Sequence, residues 1–236
     1  MIATGAWRKS GLFVVGVILI LAVPALPDAP APRGPADLGT FTKEIMSLKL
    51  EGAAVQLAMW FPMEFFAEAA LAEGGATREQ VEKNLAFMKP FHTLVVQVGT
   101  SQPDGATTYE SERSVRARAV LRAADGDEVG SLEKPPPMVS ATVNAMKGFM
   151  AQDGNTANMH VLVFPASTPG GKPLVDVAKR GKLTLVLKAK GDAKESQFIW
   201  RTPFDALNPV PPCAKCKEPV SGKWFFCPWC GAKLAG

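Results

Sequence analysis

The sequence predicts an α+β protein whose main domain is a β-rich antiparallel sheet or sandwich carrying a helical-hairpin insertion. Three observations predict it. Six short segments, at residues 54–61, 91–98, 115–123, 159–164, 183–187 and 196–201, are apolar runs or alternate apolar with polar residues. Two segments of helical period lie back to back between the first two of these, separated by Gly74-Gly75. No βαβ alternation runs along the chain, which argues against a doubly wound parallel sheet.

The chain has 236 residues and is 47% hydrophobic, enough for one sizeable core and an appendage. Residues 1–10 carry Arg8 and Lys9, and residues 11–23 then run without a charge up to Pro24. This is the layout of a secretory signal, with a small-residue cleavage site after Ala25. A retained anchor is the other reading: extended through Leu26, the apolar run reaches sixteen residues, against about 20 for a spanning helix. In both readings the cations precede the apolar segment, so the N-terminus stays in the cytoplasm and the remainder is exported. Residues 24–35 hold five prolines. Residues 27–37 therefore read as a semi-rigid linker, leading from the signal or anchor at 1–26 to a domain at 38–208.

Within that domain, residues 62–72 start a helix on Pro62, with Phe65, Phe66, Ala69 and Ala70 on one side. Residues 77–88 begin Thr77-Arg-Glu-Gln80, a capping-box pattern, and place Val81, Leu85 and Met88 on one face. A third helix over 140–150 aligns Val143, Met146 and Met150. The segment 115–123 alternates, with Val115, Ala117, Ala119 and Leu121 on one side and Arg116, Arg118 and Arg122 on the other. Such a row of guanidinium groups would suit an anionic partner, or would guard a sheet edge against aggregation. Asp125-Gly126 turns the chain. Leu183, Leu185 and Leu187 mark the inward side of the next strand but one, and the last strand contains Trp200.

All four cysteines fall in the last 24 residues, beyond a linker at 209–212. A disulfide-built domain would spread them through the fold. Cys213 and Cys216 form one CxxC pair, Cys227 and Cys230 a second, with ten residues between. Each pair sets two sulfurs on one tight turn, and two facing turns make a tetrahedral four-sulfur site. The stretch CPWCGAKL resembles the second knuckle of bacterial zinc-ribbon domains, and CAKCKEPV the first, with Lys217 where such families often have glycine. The resemblance covers residues 213–234 of the tail at 213–236. It implies one structural Zn²⁺ per chain, bound by Cys213, Cys216, Cys227 and Cys230. Two disulfides are a competing reading, as is redox use of Cys227-Pro-Trp-Cys230, although the strand-to-helix setting of redox motifs is absent. Trp224, Phe225, Phe226 and Trp229 are expected to pack around the site, an exposed aromatic contact being the alternative.

No catalytic constellation emerges. His92 and His160 are the only histidines, each within an apolar strand, and no HExxH, GxSxG, GxGxxG or Walker pattern occurs. Glu64, Glu68, Glu79 and Glu82 read as solvated helix faces. The formal net charge of +4 includes Arg8 and Lys9 and a lysine-rich tail. Four thiolates on one Zn²⁺ would offset about two of those charges, so nucleic acid is not the expected partner. The expectation is an exported, non-enzymatic binding or scaffold protein with a protein partner. The alternatives are an accessory subunit of a membrane complex, held by an uncleaved helix at 11–26, and an enzyme of unrecognised type.

Overall fold

The computed structural model describes residues 36–152, 158–191 and 194–234, so the apolar segment at 11–26 lies outside the described residues. Helix α1 (Leu38–Ile45) starts where the Asp37 carboxylate accepts the amides of Gly39 and Thr40. It leads into a hairpin of β1 (Met46–Glu51) and β2 (Ala54–Phe61), turned at Gly52 with φ of 59°. Strand β2 pairs with β3 (Phe91–Ser101). The far edge of β3 is shared, β7 (His160–Pro165) taking one half and β4 (Thr107–Tyr109) the other. A second antiparallel sheet runs in the order β6 (Glu128–Gly130), β5 (Ala119–Arg122), β8 (Gly181–Leu187), β9 (Ser196–Thr202).

The two sheets bury one core between them. Trp60, Leu94, Leu162 and Phe164 from the first meet Leu121, Leu183, Leu185, Phe198 and Trp200 from the second. Side chains of this size stabilise by roughly 1.5–3 kcal/mol each when fully buried. The first sheet has a second cover. Helices α2 (Met63–Glu73), α3 (Arg78–Asn84) and α5 (Pro137–Gln152) lay Phe66, Ala70, Val81, Val143 and Met146 over Val95, Val161 and Val163. Burial on both faces explains why β3 and β7 are continuous apolar runs rather than alternating ones.

The antiparallel α+β architecture and the helical hairpin are as the sequence predicts. Pro62 is the N-cap of α2, and both hydrogen bonds of the Thr77–Gln80 capping box form at α3. That helix ends at Asn84, short of the expected 88, and a separate 3₁₀ turn at Ala86–Met88 follows it. His92 lies between the sheets, edge-on to Trp60 with centroids 5.3 Å apart, and burial draws its pKa down to about 4. His160 donates from Nε2 to the Glu110 carbonyl at 2.7 Å.

The predicted strand at 115–123 is only half a strand. Residues Glu112–Arg118 form helix α4, capped by Ser111, and β5 begins at Ala119. Arg116, Arg118 and Arg122 therefore share no face. Arg116 donates to the Leu132 carbonyl and to Glu112, both at 2.6 Å. Arg118, buried, donates to the Lys188 carbonyl at 2.9 Å and to Glu110 at 2.7 Å. Arg122 pairs with Glu128. Each guanidinium is spent on the protein's own acceptors, so no row is offered to an anion. Among the described residues, no helix is long and apolar enough to cross a membrane.

Candidate metal centre

The ribbon is built from two turns with the same backbone. In the first, the Lys217 amide donates to the Cys213 carbonyl at 2.8 Å and the Cys213 amide to the Glu218 carbonyl at 2.9 Å. In the second, the Gly231 amide donates to the Cys227 carbonyl at 2.9 Å and the Cys227 amide to the Ala232 carbonyl at 2.8 Å. Both turns need a left-handed residue after the second cysteine. Gly231 takes it with φ of 71°, and Lys217 takes it with φ of 64° despite its side chain. A bridge between Phe226 and Lys233 and a bond from the Leu234 amide to the Phe225 carbonyl close the strands beneath the second turn.

These turns bring all four sulfurs within 4.8 Å of one another. Cys213 Sγ lies 3.7 Å from Cys230 Sγ, and Cys216 Sγ lies 3.6 Å from Cys227 Sγ. A tetrahedron with metal–sulfur bonds near 2.3 Å has edges of about 3.8 Å. Disulfide sulfurs stand about 2.05 Å apart, and all four cysteines are free. The donor set and its spacing fit a single ion.

The electrostatics point the same way. The amides of Cys216 and Lys215 aim at Cys213 and draw its thiol down to about 6. The Glu218 amide likewise lowers Cys216, but burial and the neighbouring sulfurs outweigh it and leave that thiol at about 12. The opposed shifts of Cys213 and Cys216 express the repulsion between neighbouring thiolates, which a cation at the centre of the sulfurs would remove.

The ribbon rests on the main domain through a small polar seam. Arg180 donates to the carbonyls of Gly222 and Trp224, both at 2.9 Å, and its guanidinium lies 4.4 Å from the centre of the Phe225 ring. The Gly222 amide donates to Asp205 at 2.9 Å, and Lys223 pairs with Glu44. Glu44 in turn accepts the amides of Asp205 and Ala206 at 3.0 and 2.9 Å. Sequence reasoning missed Glu44, Arg180 and Asp205, because nothing local marks residues that meet a partner far along the chain.

Trp224, Phe225, Phe226 and Trp229 do not wrap the site. They are 39, 60, 60 and 65% exposed, because the sulfurs and two tight turns already fill the interior of so short a ribbon. Glu64 and Glu68 are not a solvated face either. They line a cleft of about 490 Å³ with Arg78, Val177, Ala178, Leu207 and Asn208. Burial raises the Glu64 carboxyl, while Glu68 holds Arg78 at 2.7 Å and the Ala36 amide at 2.6 Å. Glu68 thus has a structural role, tying α2 to α3 and to the chain entering the domain.

No protein-family model, curated protein or solved structure matches this chain.

Proposed function

We propose that this is an exported, non-enzymatic binding or scaffold protein, with one structural zinc ion per chain on Cys213, Cys216, Cys227 and Cys230. The observation that carries the binding role is an apolar row that, among the described residues, is left uncovered on an open sheet edge. Met46, Leu48 and Leu50 of β1 are 45, 57 and 67% exposed, and β1 ends its sheet. Their cross-strand neighbours Met59, Leu57 and Val55 extend the row onto β2. A partner chain adding a strand along β1 would complete its backbone hydrogen bonds and cover these side chains. The zinc assignment is supported by the donor set, since four cysteine ligands leave no position for a reactive water and suit a structural ion. Export is supported by Arg8 and Lys9 preceding the apolar run.

Affinity purification of the full chain from its native membranes tests the binding role. A co-purifying protein should be recovered with the wild type and lost with Leu48→Asp/Leu50→Asp, the two forms melting alike. Recovery unchanged by the double variant would contradict the role of β1.

A second reading, an accessory subunit of a membrane complex held by an uncleaved helix at 11–26, draws support from where the chain enters the fold. Ala36 is bound to Glu68 beside Leu207 and Asn208, at the end of the domain from which the ribbon departs. Mass spectrometry of the mature N-terminus decides this reading. A chain starting at Met1 supports it, and one starting at Leu26 contradicts it.

A further inference from the structure

We infer that the exposed aromatic rim of the ribbon docks on an anionic lipid surface, an inference that rests on residues 11–26 remaining as a membrane anchor. Within the ribbon Phe225, Phe226 and Trp229 are each at least 60% exposed. In the same ribbon Lys215, Lys217 and Lys233 are exposed and make no ion pair among the described residues, against the single acidic Glu218, and Lys233 lies across the strand pair from Phe226. Aromatic rings beside lysines are the composition of the membrane interface, where rings enter the headgroup layer and ammonium groups meet lipid phosphates.

The position of the rim is what favours lipid over a protein partner. Asp205 contacts the ribbon at Gly222, and Leu207 shares a cleft with Glu68, which holds the Ala36 amide. The ribbon and the chain leading to the anchor therefore leave the same end of the domain. Ten residues at full extension cannot carry Leu26 more than about 36 Å from Ala36. An anchored chain keeps its ribbon near the bilayer, so even weak affinity for lipid becomes effectively intramolecular. The Arg180 contacts tie the Trp224 carbonyl and the Phe225 ring to the domain, which leaves Phe226 and Trp229, 60 and 65% exposed, as the rings to enter the lipid.

Tryptophan quenching in reconstituted full-length protein tests this. In a Trp7→Phe background, four tryptophans remain. Trp60 and Trp200 are 0 and 2% exposed and serve as an unquenchable reference, while Trp224 and Trp229 report on the ribbon. Vesicles of phosphatidylcholine and phosphatidylglycerol with brominated acyl chains should quench the ribbon signal. Trp224→Phe/Trp229→Phe should abolish that quenching, because only the reporters change. Phe226→Ser/Trp229→Ser should cut the quenching of Trp224 at least about tenfold, since each ring withdrawn from the interface corresponds to about that factor, with zinc content unaltered. Vesicles of phosphatidylcholine alone should quench less. Protein that floats with the vesicles but shows no ribbon quenching, or equal quenching in both lipids, would overturn the inference. Protein that fails to float would instead overturn the anchored reading beneath it.

Discussion

Lys217 and Gly231 occupy equivalent places in the two cysteine turns, with φ of 64° and 71°. A left-handed conformation costs an L-residue roughly 1–2 kcal/mol, partly offset because glycine loses more backbone freedom on folding. Lys217→Gly should therefore hold the metal more tightly by roughly 0.5–1 kcal/mol, seen as slower release to a chelator. Faster release would mean that the lysine side chain supports the turn. His92 gives a second residue-scale prediction. Its pKa is about 4 in the folded chain, lowered by burial from an ordinary value of 6.5. The unfolded chain thus binds the extra proton first as pH falls, and stability is lost between about pH 6.5 and 4, by about 3 kcal/mol in total. His92→Leu should flatten that part of the urea-unfolding profile. The same slope in the variant would place the acid sensitivity elsewhere, with the cysteine thiols the next candidate.

At the scale of elements, legibility followed local chemistry. The Thr77–Gln80 pair, the Pro62 start and the two CxxC turns were readable because each is settled within a few residues. Strand β2 was readable to its ends because Gly52 and Pro62 bound it. The segment at 115–118 misled because a short helix can carry an accidental two-residue alternation; Ser111 followed by Glu112 was the overlooked N-terminal signal. Strand β1 was not legible, since its apolar residues face outward rather than into the core. The assignment of Arg118 to α4 can be tested. Arg118→Ala should cost about 3 kcal/mol in chemical unfolding, because it leaves Glu110 and the Lys188 carbonyl without their buried donor. A loss below 0.5 kcal/mol, typical of surface substitutions, would indicate an exposed side chain and restore the strand reading.

At the scale of the whole molecule, the two cores and the ribbon are held by different means. The apolar clusters of the main domain are complete by Leu207, whereas the ribbon meets that domain through hydrogen bonds and ion pairs at Glu44, Arg180 and Asp205. A chain spanning Leu38 to Asn208 should therefore remain soluble and melt cooperatively. An aggregated or molten product would show that the ribbon completes the core. Strand order and the docking seam were beyond the sequence, because both depend on residues far apart in the chain that carry no mutual signature.

The ribbon itself has too little apolar interior to fold unaided. Zinc-finger peptides gain on the order of 10 kcal/mol from their metal, and here the aromatic side chains are largely exposed rather than buried. Folding of the ribbon accordingly depends on the metal. Native mass spectrometry of the purified chain, alongside its Cys227→Ser variant, tests this most directly. One zinc per wild-type chain, lost in the variant while the main domain keeps its melting transition, is the predicted result. A metal-free native mass four protons light under non-reducing conditions would instead mean two disulfides and would contradict the four-sulfur centre.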